Sequence, residues 1–313
     1  MVSLSQDPYT SRALSTAAIL SRNEPVVYDT ANDQAPDAAT ALNTAQLDVY
    51  RDNGFLVLPD LFSHNEITSL VAEMQTMRAD FVKQKRSEVI AEPGSGEVRS
   101  IFDVHRFSNL YASLMRDPRV LNVAREILGS EVYIHQSRIN YKPGFSGKEF
   151  YWHSDFETWH TEDGMPAMRA LSCSILLTDN NDMNGPLMLI PGSHRHFISC
   201  MGETPDDNYK KSLKKQESGV PDELLLRYLA DLGGITSCTG KAGSVVFFDC
   251  NTMHGSNGNI TPYPRSNLFF VYNSVDNQLE APKGGLKPRP EFIAARNDVA
   301  ALEAEPMVLS ALA

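Results

Sequence analysis

The hydrophobic pattern changes at Gly129, and this change limits the folds open to the chain more than any other feature. Beyond it, apolar and polar residues alternate with a period of two in short segments separated by Gly, Pro, Asn and Asp, which is typical of β-strands joined by turns. These segments cover residues 131–141, 149–153, 170–178, 187–190, 244–250 and 267–275. Many short strands behind a helical layer predict a mainly β protein with an antiparallel sandwich or jelly-roll barrel.

Before Gly129 the apolar residues recur at helical spacing. Ser63 and Glu66 match a capping box, in which each side chain bonds the backbone of the other residue, and an apolar stripe follows them. Asp117 and Pro118 match the N-cap and the first turn of a second helix, which Gly129 ends. The N-terminal third is therefore predicted to be helical support for the strands.

The chain is predicted to contain one domain preceded by an arm. Residues 1–43 are rich in Ala, Ser, Thr, Asp and Asn without a sustained period, so we expect an irregular or partly mobile arm and assign it no chemistry. Residues 44–313 form the predicted domain, with helical support over about 44–129 and the β core over about 130–280. One helical insertion, Pro221–Leu232, interrupts the strands, with a glycine behind it.

The composition excludes several classes of partner. The chain has 313 residues, with 28 Lys and Arg against 39 Asp and Glu, which gives a formal net charge of −11. This acidic balance disfavours binding to nucleic acids and to anionic membranes. Apolar residues make up 42% of the chain, which is enough to build a buried core. We therefore expect a globular protein with neither a nucleic-acid nor a membrane partner.

The cysteines and the N-terminus indicate a cytoplasmic protein. The cysteines, Cys173, Cys200, Cys238 and Cys250, contain no C-x-x-C pair, so neither a zinc ribbon nor a dithiol redox site is predicted. No basic segment precedes the weak apolar stretch near residues 13–20, and no apolar run reaches the ~18 residues that a membrane span needs. We expect reduced thiols, no signal peptide and a cytoplasmic location.

The most specific indication of chemistry is His153-Ser154-Asp155, with His254 placed just past the strand at 244–250. Residues two apart on an extended segment project to the same face, so His153 and Asp155 can reach one ion together. Two histidines and one carboxylate match the ligand set of non-haem Fe(II) oxygenases. Three protein ligands leave positions open for a cosubstrate and dioxygen, whereas a structural zinc is closed by a fourth ligand.

An arginine follows the distal histidine on the next predicted strand. Strand parity places Arg265, Asn267 and Phe269 on one face, which we expect to point into the barrel with His254. A guanidinium inside a barrel needs an anionic partner because burying it alone is costly, and a dicarboxylate cosubstrate can be that partner. Ser256 could add a hydroxyl group to the same carboxylate. A salt bridge at the rim with an Asp or Glu is the alternative role of this arginine.

A row of polar residues, Gln136, Arg138 and Asn140, shares one face of the strand at 131–141. The opposite face is expected to carry Tyr133, His135 and Ile139. If the polar row faces the barrel interior it forms a wall for the substrate, and if it faces outward it is an ordinary solvated surface.

Several segments resemble the phytanoyl-CoA hydroxylase-like 2-oxoglutarate dioxygenases. The resemblance spans roughly residues 45–295 and is carried by Gln136 to Arg138, by 152–160, by the turn at 191–194, and by His254 with Arg265. Within that superfamily, the segment FYWHSDFETWHTEDGMP (150–166) is most similar to members that hydroxylate ectoine to 5-hydroxyectoine.

The resemblance implies a double-stranded β-helix core, the cupin-like jelly roll, that binds Fe(II), 2-oxoglutarate and O₂ in a cytoplasmic homodimer. The implied metal ligands are His153, Asp155 and His254. The positions implied for 2-oxoglutarate are Arg265, Ser256, Phe102 and Asn140. The positions implied for the substrate are Gln136, Arg138, Thr158, Trp159, Phe248, Asn267 and Phe269.

The substrate that the resemblance implies suits these residue types. Ectoine is a small cyclic amidine with a carboxylate, so it calls for aromatic faces beside the cation and hydrogen-bond donors for the carboxylate. Trp159, Phe248 and Phe269 could supply the first, and Gln136 and Arg138 the second. These aromatic residues could equally be ordinary core.

Other functions stay open from the residues alone. The chain could be a dioxygenase of the same superfamily that acts on another small molecule, or a jelly-roll binding protein without catalysis. It could also be a zinc hydrolase with the same ligands, for which Glu157 is the candidate base, because strand alternation would place it on the face of His153 and Asp155. The remaining histidines, including His135, His194 and His196, are predicted not to be ligands.

Overall fold

The computed structural model describes residues 7–13, 15–28, 41–297 and 299–309 of the protein. The predicted arm, residues 1–43, therefore lies partly outside the described residues. Each of the six segments predicted as strands after Gly129 is a strand, with ends shifted by at most two residues, and the described part has three further short strands there. The prediction that 44–129 is helical support alone is wrong, because strands at 55–58, 89–91 and 98–102 in that range join the larger sheet.

The strands, in chain order, are β1 (Ala18–Ser21), β2 (Phe55–Leu58), β3 (Val89–Ala91), β4 (Val98–Phe102), β5 (Val132–Lys142), β6 (Phe150–His153), β7 (Ala170–Leu176), β8 (Leu187–Leu189), β9 (His196–Ser199), β10 (Thr236–Cys238), β11 (Val245–Asp249), β12 (His254–Ser256) and β13 (Arg265–Ser274). The α-helices are α1 (Thr44–Asn53), α2 (His64–Gln84), α3 (Val104–Phe107), α4 (Asn109–Leu114), α5 (Pro118–Leu128), α6 (Asp155–Thr158), α7 (Tyr209–Ser212) and α8 (Glu223–Gly233). A π-helical turn covers Trp159–Asp163, and 3₁₀ turns cover Ser193–Arg195 and Lys283–Gly285. Among the described residues, none of the helices is both long and apolar enough to span a membrane.

Among the described residues, eleven of the thirteen strands form two antiparallel sheets, and β1 and β9 form a separate two-stranded ribbon. The larger sheet has the order β2-β11-β7-β13-β5-β4-β3, and the smaller has the order β10-β8-β12-β6. One apolar cluster joins the larger sheet to the helices, and a second joins it to the smaller sheet. The predicted jelly-roll core with helical support is confirmed.

Alternation along β13 explains how one strand serves both clusters. Leu268, Phe270 and Tyr272 pack in the helical cluster, and Phe269 packs in the cluster between the sheets. This period of two is the geometry of a strand that is buried on both faces. The strand therefore separates the structural core from the side that faces the cavity.

The alternation is interrupted on β5, next to the predicted polar row. In the pairing with β13, Gln136 lies opposite Val271 and Ile134 lies opposite Tyr272, so His135 is an extra residue that forms a β-bulge. The prediction that Tyr133 and His135 share the opposite face with Ile139 is therefore wrong. Ile139 packs in the helical cluster, but His135 contacts the cavity-lining ring of Trp159.

Capping side chains set the helix ends much as the sequence predicts. Ser63 and Glu66 form the reciprocal capping box of α2, and the Asp117 side chain accepts a hydrogen bond at the start of α5. The insertion helix begins at Glu223 rather than at Pro221, because Asp222 caps it by accepting hydrogen bonds from the next backbone amides.

The described part of the arm packs on the domain. Strand β1 pairs with β9 in an antiparallel ribbon, from Ala18 opposite Ser199 to Ser21 opposite His196. Tyr9 is fully buried and packs edge-on against Phe156. Residues 7–13 and 15–28 thus cover the turn that follows β6.

Candidate metal centre and cavity

Three side chains from two neighbouring strand ends form a candidate metal centre. The Nε2 atom of His153 lies 3.7 Å from one carboxylate oxygen of Asp155, and the Nε2 atom of His254 lies 3.8 Å from the other. One ligand atom from each residue falls within 4.8 Å of the other two. Strand register brings the histidines together, since His153 on β6 pairs directly with His254 on β12.

Asp155 reaches this point by a turn, not by strand alternation. Strand β6 ends at His153, and Asp155 is the first residue of α6, so the expectation of one extended segment is wrong. The same helical turn moves Glu157 away from the histidines, and both of its carboxylate oxygens accept hydrogen bonds from Arg12, at 2.9 and 2.6 Å. Glu157 is therefore not placed as the base that a zinc hydrolase needs.

Both histidines are held in the tautomer that a metal requires. The Nδ1 atom of His153 lies 2.6 Å from the carbonyl oxygen of Tyr151, and that of His254 lies 2.9 Å from the carbonyl oxygen of Thr252. A carbonyl accepts a hydrogen bond only from a protonated nitrogen, which leaves each Nε2 lone pair facing Asp155. The carbonyls thus orient both rings before any ion binds.

The charge states also suit a cation. Burial, and next to it the neighbouring His153, lowers the pKa of His254 to about 4, so this ring is neutral at pH 7. Burial would raise the pKa of Asp155, but His254 and Arg138 lower it below its ordinary value. Imidazole nitrogens and a carboxylate are the donors that non-haem Fe(II) prefers, so the residues fit this metal.

A cavity of about 470 Å³ opens beside the three ligands, a size suited to small molecules. Arg265 lines it, is buried, and hydrogen-bonds only the carbonyl oxygen of Gly185 within the described residues, at 3.1 and 2.5 Å. Burial lowers its pKa to about 10, so the guanidinium is charged at pH 7. A salt bridge at the rim, the alternative from sequence, is absent among the described residues.

A second buried basic residue, which sequence reasoning missed, lies beside Arg265. Lys142 at the end of β5 donates a hydrogen bond to Ser256, with 2.8 Å between Nζ and Oγ, and another to the carbonyl of Asn257. Burial, followed by repulsion from Arg265, lowers the pKa of Lys142 to about 6. Its strand pairs with β13 so that Lys142 lies opposite Arg265, and this register was the signal that could have found it.

The polar row of β5 lines the cavity, so of the two alternatives from the sequence the row faces the barrel interior and not the solvent. Gln136 accepts a hydrogen bond from Arg138 and donates one to the carbonyl of Ile293 at 2.6 Å. The guanidinium of Arg138 lies over the ring of Phe269, 4.7 Å from its centroid. Asn140, further along the row, accepts a hydrogen bond from Ser100 at 2.8 Å.

The opposite wall is the helical turn after the metal ligand. Thr158 and Trp159 both line the cavity. The indole ring of Trp159 is held edge-on by His135, at 5.0 Å between ring centroids, and His135 in turn lies 3.6 Å from Asp163. His135 is thus a supporting residue behind this wall, in keeping with its predicted structural role.

Not every predicted position reaches the cavity. Phe102 and Ser256 line it. Phe248 lies behind the centre, with its ring 5.0 Å from that of His254. Asn267 is fully buried and donates a long hydrogen bond to Ser174, at 3.4 Å. These last two residues contact the layer behind the lining rather than the cavity itself.

A jelly-roll core that carries two histidines and one carboxylate defines the class of mononuclear non-haem iron oxygenases. The family model of phytanoyl-CoA dioxygenase (PhyH) matches residues 50–267, and the chain belongs to this family.

Named relatives are similar over nearly the whole chain. The ectoine dioxygenase of Bordetella bronchiseptica is 62% identical over 296 residues, which cover 95% of this chain and 94% of that protein. The crystal structure of EctD from S. alaskensis with 2-oxoglutarate and 5-hydroxyectoine superimposes with a TM-score of 0.86 at 49% identity, covering 97% of this chain and 100% of that one. The structure of the same EctD with bound Fe superimposes with a TM-score of 0.84 at 48% identity, and the coverage of both chains is the same.

Proposed function

We propose that this protein hydroxylates ectoine to 5-hydroxyectoine, with O₂ and 2-oxoglutarate consumed and succinate and CO₂ released. The observation that carries the proposal is one cavity of about 470 Å³ lined by the three metal-ligand residues, by the buried Arg265 and by the polar row of β5. The identities of 62% to an ectoine dioxygenase and 49% to an EctD that binds 5-hydroxyectoine support the substrate.

The metal is Fe(II), held by His153, Asp155 and His254. When bound, Fe(II) supplies the activation of O₂ that lets an unactivated C–H bond be hydroxylated. The protein residues hold and orient the reactants around it. The carbonyls behind the two histidines select the tautomer whose Nε2 atom faces the metal, and the cavity walls exclude bulk water from the reaction.

The cosubstrate lies at the end of the cavity that Arg265 and Ser256 line, which we call the cationic end. Arg265 is buried without a carboxylate partner among the described residues, and the distal carboxylate of 2-oxoglutarate provides that partner. Ser256 and Lys142 hydrogen-bond each other beside this position and can add donors to the same carboxylate. Phe102 and Asn140 line the cavity near them.

The substrate lies between the polar row and the turn after the metal ligand. Arg138 and Gln136 offer donors to the carboxylate of ectoine, and the faces of Phe269 and Trp159 suit its delocalised cation. Thr158 adds a hydroxyl group to the same wall. Phe248 and Asn267 pack in the layer behind the cavity lining, where Phe248 contacts His254 and Asn267 bonds Ser174.

The test is an anaerobic incubation of the purified protein with Fe(II), 2-oxoglutarate and ectoine, followed by admission of O₂. We expect succinate and 5-hydroxyectoine in equal amounts. Succinate without 5-hydroxyectoine would keep the dioxygenase and reject ectoine, and neither product would reject both. Omission of Fe(II) and replacement with Zn²⁺ are the controls, and both should abolish product formation.

We also propose a cytoplasmic location and a homodimer. The four cysteines are all buried free thiols, which supports a reducing compartment. Light scattering of the purified protein measures the oligomeric state, and a monomer at working concentration would reject the dimer. Cell fractionation measures the location.

A further inference from the structure

One arginine of the arm reaches the wall of the cavity from behind. Arg12 is buried, and its guanidinium donates hydrogen bonds from Nε and Nη2 to Glu157, at 2.9 and 2.6 Å. Its Nη1 atom lies 2.5 Å from a carboxylate oxygen of Glu162. A single cation thus balances two buried carboxylates, and burying either of them unpaired would be costly.

Both carboxylates belong to the short turn that starts at the metal ligand Asp155. Within this turn, Thr158, Trp159 and Glu162 line the cavity. Arg12 also contacts the lining directly, since its Nη2 atom donates a hydrogen bond to the hydroxyl of Thr158 at 3.0 Å. Arg12 therefore bonds three residues of the same turn.

Residues 204–219, part of which lines the cavity, contact the same hydrogen-bond network around Arg12. Arg12 bonds the hydroxyl of Thr204 at 3.2 Å, and Asn208 donates to Glu162 at 2.8 Å. Gly219 packs so closely that a Cβ atom there would lie 2.3 Å from Arg12 and 2.4 Å from Glu157. Residues 212–216 and 218, between these contacts, line the cavity.

We propose that Arg12 is a positioning residue of the active site, which holds the wall carrying Thr158 and Trp159 at the geometry that binds the substrate. The inference rests on the proposed function and extends it to the arm. Arg12 touches no ligand and acts through Glu157 and Glu162. A misplacement of this wall weakens substrate binding and leaves the cationic end of the cavity, which lies on other strands, unchanged.

A second buried arginine of the arm provides a matched control. Arg22 bonds Asp249 at 2.7 Å and the carbonyl of Met168 at 2.7 Å, so it anchors the arm without bonding a residue that lines the cavity. Any effect of merely weakening the packing of the arm should appear in Arg22→Ala and Arg12→Ala alike. Displacement of the wall that carries Thr158 and Trp159 should follow from Arg12→Ala alone.

The experiment compares the KM values of both substrates in Arg12→Ala, Arg12→Lys and Arg22→Ala. We expect Arg12→Ala to raise the KM for ectoine at least about tenfold while the KM for 2-oxoglutarate stays within about twofold. Arg12→Lys should restore part of the loss because it keeps the charge, and Arg22→Ala should leave both KM values unchanged. An equal rise in both constants, or the same rise in Arg22→Ala, would overturn the proposal.

A second readout needs neither metal nor turnover. The chain has two tryptophans, and one of them is Trp159 in this wall. Acrylamide should quench tryptophan fluorescence more strongly in Arg12→Ala than in the wild type, and Arg22→Ala should match the wild type. If the wild type makes no 5-hydroxyectoine, the proposed function fails, and unchanged quenching would separately reject the role of Arg12. If Arg12→Ala does not fold, Arg12→Lys takes its place in both measurements.

Discussion

The rings of His153 and His254 face each other across two paired strands, with 4.2 Å between their centroids. The two residues are direct partners in the register of β6 and β12, so backbone pairing fixes their separation. Each ring is also held by the carbonyl two residues before it in sequence. The sheet thus prepares two of the three ligands, and Asp155 completes the centre from the following turn.

Asp155→Ala should abolish iron binding and turnover. The variant removes the only carboxylate of the three-ligand cluster found among the described residues, and we expect iron affinity to fall at least about 100-fold. Iron content after anaerobic loading measures the loss, with circular dichroism as the control for folding. A folded variant that retains iron and activity would contradict the assignment of the centre.

Arg265→Ala should raise the concentration of 2-oxoglutarate that half-saturates the enzyme. Loss of a buried charge pair costs about 2–5 kcal/mol, which corresponds to a rise of about 30-fold or more. Arg265→Lys keeps the charge but loses the forked geometry of the guanidinium. Its half-saturating concentration of 2-oxoglutarate should therefore lie between those of the wild type and Arg265→Ala. Steady-state kinetics at saturating ectoine measures the effect, and an unchanged requirement would refute the role of Arg265.

Binding of 2-oxoglutarate should take up a proton near pH 8. Burial lowers the pKa of Lys142 to about 6, so its amine is mostly neutral at pH 8 in the free protein. A carboxylate beside the amine favours the charged form, so the apparent affinity should fall as pH rises above 6, by at most about tenfold per pH unit. Calorimetry in buffers of different ionisation enthalpy measures the proton uptake, which Lys142→Met should remove. Equal heats in all buffers for the wild type would contradict this linkage.

Gly243→Ala should lower stability without changing the chemistry. Gly243 has a φ of +99°, and a Cβ atom there would lie 2.3 Å from the carbonyl oxygen of Phe62. Backbone strain together with this contact should cost about 2–4 kcal/mol of the free energy of unfolding. Chemical denaturation measures the cost, and kcat/KM per folded molecule should match the wild type because neither residue lines the cavity. A variant as stable as the wild type would show that the turn can relax.

The periodicity of the sequence was enough to predict β5, β6, β7, β8, β11 and β13, but it missed β2, β3 and β4 of the larger sheet and β12, which carries His254. On β13 the apolar residues form a continuous run over 268–272, because both faces of this strand are buried, in different clusters. The spacing of His153 and Asp155 led to the candidate ligands, which the structure brings together with His254, but through a turn and not through one extended segment. A period of two cannot distinguish a continuing strand from one that ends and turns into a helix after one ligand.

Two further features had no local pattern in the sequence. The bulge at His135 turns this residue toward Trp159, and it depends on the pairing with β13 rather than on the residues of β5. Lys142 was missed because a lysine at a strand end is typical of a solvated position. Its burial results from contacts with Ser256 and Asn257, which are distant in sequence.

The contacts of the arm set an order of events during synthesis. Arg12 leaves the ribosome well before its partners Glu157 and Glu162, which follow 145 and 150 residues later. Strand β1 likewise waits for β9, which ends at Ser199. Closing such long loops is slow, so the nascent chain carries its arm undocked until most of the barrel has emerged. The arm is thus made before the barrel but reaches its final place after it.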